Sequence, residues 1–202
     1  MTRAKRPMML AASALAPGFA ACAPENPAAE AVPADTAALD GTTPTETAVD
    51  SGVTNFVEKA SLANMYGIEA GKIALERSQV QSVKDFAKMM VDGHTVGLAE
   101  LTTLSTASMV TPPSALDNDH MGKLDALRKA SVEDFDDVYI DQQTEAHENT
   151  LNLMKDFASN GKDQGLQAFA SKMAPTVEQH LTTVKALDQS DADDVTESPS
   201  KT

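Results

Sequence analysis

With a single cysteine in 202 residues, the chain cannot close an internal disulfide, so whatever folds must hold by its core. Positive charge is scarce as well: 16 Lys and Arg stand against 30 Asp and Glu, for a formal net charge of -14. Such a surface is a poor partner for nucleic acid and for anionic lipid faces, and a better one for cations, although a solvated acidic face serves solubility equally well. The chain has no Gly-x-Ser-x-Gly elbow, no His-Glu-x-x-His pair and no phosphate-cradling glycine loop, which removes the common hydrolase readings. It also has no Glu-x-x-His. Di-iron bundles need that three-residue step to put both ligands on one helix face, so an oxygen-activating di-iron oxidase is disfavoured.

What is present begins with an address. Arg3, Lys5 and Arg6 precede an apolar run, Met8 to Ala16, that is too short to span a bilayer, and small residues lead to Phe19-Ala20-Ala21-Cys22-Ala23. Residues 1–21 are therefore read as a signal peptide, lost on export and excluded from the fold. A cysteine directly after small residues is also what bacterial lipoprotein processing acylates, so Cys22 is the expected lipidation site and the membrane, reached through it, the expected partner. Each buried methylene contributes about 0.8 kcal/mol, and two or three acyl chains anchor stably. Lipoprotein sites usually carry Leu three positions before the cysteine, where this chain has Phe19. Cleavage nearby by the ordinary peptidase, leaving a free periplasmic protein, is the competing expectation. Ala23 carries no acidic retention signal, which favours the outer membrane.

Residues 22–51 are rich in Ala, Pro, Thr, Glu and Asp, a composition that buries too little to offset ordering entropy, and they read as a tether. Residues 189–202, with Asp191, Asp193, Asp194 and Glu197, read as an acidic disordered tail. Between them, 52–188 is the size of one domain. It is predicted all-α: no stretch alternates as a strand does, and apolar residues recur at three and four positions. The spacing predicts helices over about Val53–Ser78, Val80–Ser108, Ala115–Ser159 with a break near Ser131, and Lys162–Leu187. Thr111-Pro112-Pro113-Ser114 and Asn160-Gly161 supply stops. Short links make neighbours antiparallel, hence an up-down four-helix bundle with a last helix kinked at Pro175. Gly67 and Gly71, and Gly93 and Gly97, are each spaced four apart, so that two backbones can approach closely.

Four residues are candidates for chemistry. Measured from one end of the bundle, Glu69 stands at about 14 Å, His94 at about 21 Å, His147 at about 20 Å and His180 at about 26 Å. The three histidines continue the inward stripes of three different helices, so their rings can share one level. A metal ion ligated by them, with Glu69 or a methionine such as Met65 or Met90 as a fourth ligand, is one way to satisfy them. Imidazole suits zinc, copper or iron, and a methionine tilts the choice toward copper(I). The plainer alternative is an internal polar layer in which each ring bonds a neighbour. His120 is expected at the surface, and Glu145 and Glu178, two residues before His147 and His180, on other faces.

Asn55-Phe56-Val57 with Gly67 and Glu69, Phe86-Ala87 with Met90-Val91-Asp92-Gly93-His94-Thr95, Tyr139 with Ala146-His147, and Pro175 with His180-Leu181 resemble the bacterial domain of unknown function 4142 over about Asn55 to Leu187. The resemblance implies a ferritin-like helical bundle in an exported or outer-membrane protein, with no established activity. Gly93 and Ala174 depart from the family pattern, which usually has Asp and Leu there. The leading expectation is a tethered, non-enzymatic envelope protein holding a metal or small ligand in its interior. The alternative is a structural or stress-related interaction module without a metal.

Overall fold

The computed structural model describes the backbone of residues 50–196 and the side chains of 50–188. The segment expected to be a signal peptide, the expected lipidation site Cys22, nearly all of the expected tether and the last residues of the chain lie outside this range. Within it the chain is all-α: α1 Ser51–Arg77, α2 Gln81–Ala107, α3 Asn118–Lys129, α4 Phe135–Asn160 and α5 Gln164–Thr196, with no strand among the described residues. No helix among the described residues is long and apolar enough to cross a membrane.

The helix ends follow from local chemistry. Asp50 opens α1 two residues before the expected start, its carboxylate accepting from the Gly52 backbone at 2.8 Å and from Lys162 at 2.9 Å, which ties this end to the loop before α5. After α2, the Val110 amide bonds the Ser105 carbonyl at 2.9 Å and the Met109 amide that of Thr106 at 3.1 Å, with Met109 left-handed at φ 58°. This Schellman turn satisfies terminal carbonyls just ahead of the two prolines. The break near Ser131 falls where Arg77, from the end of α1, donates to the carbonyls of Leu127 and Ala130 and lies 4.7 Å over the ring of Phe135. The last helix runs further than expected: α5 includes Pro175 and continues to Thr196, so the acidic segment is helical over its first part. No Gly or Pro interrupts 188–196, and extending a helix already formed costs little even for polar residues.

Packing joins α1 to α2 and α4, and α5 to α4 and α2, while α3 lies against α1 and α4. Contacting residues run in opposite order along each long pair. Phe56 stacks on Phe157 while Tyr66 bonds Gln142 across α1 and α4. Lys155 meets Glu178 and Lys185 meets Glu148 across α4 and α5. The apolar interior is divided in two. One cluster, around Phe56, Leu101, Phe157 and Phe169, fills the end near the start of α1; the other, around Tyr66, Phe86, Leu127, Phe135 and Tyr139, fills the opposite end. Between them in every long helix come buried polar residues: Ser61 and Asn64 in α1, His94 in α2, Gln143 and His147 in α4, and His180 in α5.

The paired glycines serve this layer. A Cβ at Gly67 would stand 2.5 Å from His94 Cδ2, and one at Gly97 2.9 Å from Asn64 Oδ1, so each glycine makes room for a polar side chain of the facing helix. Gly71 does what the spacing predicted, since a Cβ there would come within 3.0 Å of the Ala87 carbonyl. Gly122, in α3, has nothing within 4 Å of an added Cβ. Gly67→Ala is expected to destabilise the protein by about 1–3 kcal/mol through overpacking, and Gly122→Ala to stabilise it by about 0.5–1 kcal/mol through helix propensity. Urea unfolding midpoints of the two variants check the pair.

Candidate metal centre

Three helices deliver one imidazole each to the same point. The ring centroids of His94 and His147 are 5.6 Å apart, those of His147 and His180 5.6 Å, and those of His94 and His180 6.0 Å. All three residues are buried, at 9%, 3% and 7% exposure for His94, His147 and His180.

Two of the rings have their tautomers set by neighbours. Asn64 donates its amide to the Ala60 carbonyl at 2.7 Å, which turns its oxygen toward His94 Nδ1 at 3.0 Å. That oxygen can only accept, so Nδ1 carries the proton and His94 Nε2 is left with a lone pair. The carbonyl of Gln143 stands 2.7 Å from His147 Nδ1 and likewise only accepts, so His147 Nε2 has a lone pair too. His94 Nε2, His147 Nε2 and His180 Nδ1 are buried without a hydrogen-bond partner. A ring nitrogen from each of the three lies within 4.8 Å of the other two. An ion at about 2.1 Å from all three would place them about 3.5 Å apart, so the rings need close by only about an ångström.

Burial keeps the rings neutral. It lowers His94 to about 3, with help from His147 and His180, and lowers His180 to about 4, with help from His147. His147 is also lowered by burial, against the opposing pull of the Gln143 carbonyl. All three are therefore neutral at pH 7, each with one ring nitrogen able to donate a lone pair to a Lewis acid.

Glu69 is not part of this group, which corrects the fourth-ligand expectation. It pairs with Lys72 at 2.7 Å and its side chain is 44% exposed. Gly67 holds the face of α1 opposite His94, and a residue two positions later points well away from it. Of the methionines, Met90 is fully buried one turn before His94, and Met65 is partly exposed. His120 is half-covered, bonded to Asp117 at 2.7 Å and packed beside Tyr66. Sequence reasoning missed Asn64 and Gln143. Their signals were present: Asn64 lies four residues after Ala60 on an apolar face, and Gln143 four before His147. Gln143 is fully buried with both side-chain amide atoms unpartnered, and Tyr139 OH is unpartnered as well.

A helical body with a buried histidine layer is thus the class of protein at hand. The chain belongs to the DUF4142 family, a domain of unknown function, whose match covers residues 38–187. No curated protein matches its sequence. Among solved structures it is similar to CopM in the Cu(I)-bound form, with a TM-score of 0.58 and 17% identity over 68% of this chain and 96% of CopM. It is also similar to a DUF305 fragment from Deinococcus radiodurans, with a TM-score of 0.61 and 12% identity over 69% of this chain and 96% of the fragment. At these identities the likeness shows a shared helical fold.

A buried ring whose pKa lies below its ordinary 6.5 binds its proton more readily when the chain is unfolded. The stability this adds is complete above about pH 6.5 and is lost as pH falls toward the folded values. The urea midpoint is therefore expected to decline between pH 6.5 and about 5, where carboxylates scarcely titrate. In the triple variant His94→Leu, His147→Leu, His180→Leu that decline should vanish; an unchanged slope would mean the rings are not held neutral.

Proposed function

We propose that this protein is an exported envelope protein, anchored to the outer membrane through an acylated Cys22, whose long helices form an up-down, ferritin-like four-helix bundle, bent at Pro175, that holds a transition-metal ion between His94, His147 and His180. One observation carries the metal reading: three histidines on three helices each keep a buried ring nitrogen without a partner, and a ring nitrogen of each lies within 4.8 Å of the other two. An unsatisfied buried polar atom costs about 1–3 kcal/mol, and a single cation relieves three at once. Two of the rings are also held from behind by fixed acceptors, the arrangement that orients metal-ligating histidines. The Cu(I) bound by CopM supports the reading, since a helical fold of this kind carries a metal there.

The address rests on the leader and the cysteine that follows it, and the acidic composition fits a protein that meets cations and avoids nucleic acid. The role is one of binding and holding. The rings supply neutral nitrogen ligands, while the two apolar clusters on either side limit the approach of water.

Purified protein is expected to take up about one equivalent of zinc, copper or iron and to unfold at a higher temperature with the metal present, by mass action on the folded state. His147→Ala should abolish both effects and His120→Ala neither. Less than about a tenth of an equivalent, with no thermal shift, would leave an internal polar layer and a structural role. Separately, Cys22→Ser should release the protein from the membrane fraction, and unchanged partitioning would defeat the anchor.

A further inference from the structure

The histidine layer brings no charge of its own. The acceptors behind the rings are an amide oxygen, from Asn64, and a backbone carbonyl, from Gln143, and the group contains no Asp, Glu or Cys. Acids close in sequence are turned away and paired at the surface, Glu69 with Lys72, Asp92 with Lys88, Glu145 with Lys123 and Glu178 with Lys155. Inside, Phe86 stands 6.3 Å from the His147 ring, and Met90 and Gln143, buried one turn before His94 and His147 in their own helices, are neutral as well.

We infer, on the reading that this layer holds a metal, that the centre selects a monovalent soft cation, Cu(I) or its redox-stable analogue Ag(I), over divalent ions such as Zn(II), and that Gly93 is the position that keeps it so. The cost of carrying an ion out of water grows with the square of its charge, and neutral imidazoles replace part of its hydration but bring no opposing charge. A dication here leaves two uncompensated charges in the interior; a monocation leaves one. Coordination number points the same way. Zinc held by three histidines takes a water as its fourth ligand, and the apolar clusters on either side of this layer disfavour that water. A d10 monocation accepts three nitrogens.

Gly93 is where a compensating charge would enter. A Cβ added there would stand 3.5 Å from His180 Cε1 and 3.9 Å from its Nε2, ordinary contact distances, so a side chain fits without displacing the ring. A carboxylate on that Cβ reaches Nε2, the nitrogen of His180 opposite the unpartnered Nδ1. Carboxylates behind ligating histidines raise ligand basicity and hold divalent zinc. With glycine at 93, that support is missing.

The test is competition calorimetry of the whole protein in chloride-free buffer, with Ag(I) and Zn(II) titrated separately against a chelator of known affinity. Ag(I) is expected to bind the native protein at least about 100-fold more tightly than Zn(II). Gly93→Asp should narrow that ratio by about tenfold or more through tighter Zn(II) binding, whereas Gly93→Asn, of the same shape without the charge, should leave it unchanged. Zn(II) binding as tightly as Ag(I) to the native protein overturns the selectivity and leaves the metal centre standing. Binding of neither ion overturns the centre itself and the inference with it. Equal shifts in the Asp and Asn variants overturn the assignment of the selectivity to charge at position 93. The native ratio decides the first point whether or not the Gly93→Asp chain folds.

Discussion

The hydrogen bond from His94 to Asn64 organises the middle of this protein. Asn64 is itself pinned, its amide donating to the Ala60 carbonyl one turn back in α1, so its oxygen faces α2 and only accepts. His94 must then carry its proton on Nδ1 and keep its lone pair on Nε2. The Gln143 carbonyl does the same for His147. Burial then keeps the proton count low, because charging a ring in this surrounding is unfavourable and each charged ring would repel the next. The outcome is a cluster in which each ring keeps one buried nitrogen without a partner, an arrangement that polar packing by itself leaves unsatisfied.

The rest of the interior accommodates that layer. Gly67 lies where His94 needs space and Gly97 where Asn64 does, so the antiparallel pairing of α1 with α2 depends on missing side chains at two facing positions. The apolar residues are divided into two clusters, one on each side, instead of one continuous core. Such a division sacrifices some apolar burial at mid-height. It also surrounds the histidines with low-dielectric material, which strengthens electrostatic effects at the centre and makes the absence of a carboxylate matter.

Much of the fold was legible. The three- and four-residue spacing of apolar positions, the prolines after α2 and the Ser131 break all correspond to features of the structure. So do the inward rings of His94, His147 and His180, because a stripe such as Met90, His94 and Leu101 fixes which way a side chain between apolar neighbours points. The misses have physical reasons. Glu69 falls outside the layer because Gly67 holds the face of α1 opposite His94, and a step of two residues turns a helical side chain to another face, where Glu69 pairs with Lys72. Beyond Leu187 the acidic composition argues for a tail, yet α5 continues to Thr196 because no Gly or Pro stands before Pro199 to break it. Asn64 and Gln143 escaped notice because an amide on an apolar stripe has no distinctive spacing until its partner is known.

By itself, the amino-acid sequence determined that this chain is helical, acidic, without internal disulfides and supplied with three inward histidines, since periodicity and composition act locally along the chain. Only the tertiary structure decided that the three rings meet and which nitrogen of His94 and of His147 is free. Meeting depends on how α1, α2, α4 and α5 rotate and slide against one another, a balance set jointly by residues far apart in sequence, such as Gly67 with His94 and Asn64 with Gly97. A proton's position on an imidazole follows from whatever stands opposite it, and in His94 that neighbour comes from another helix.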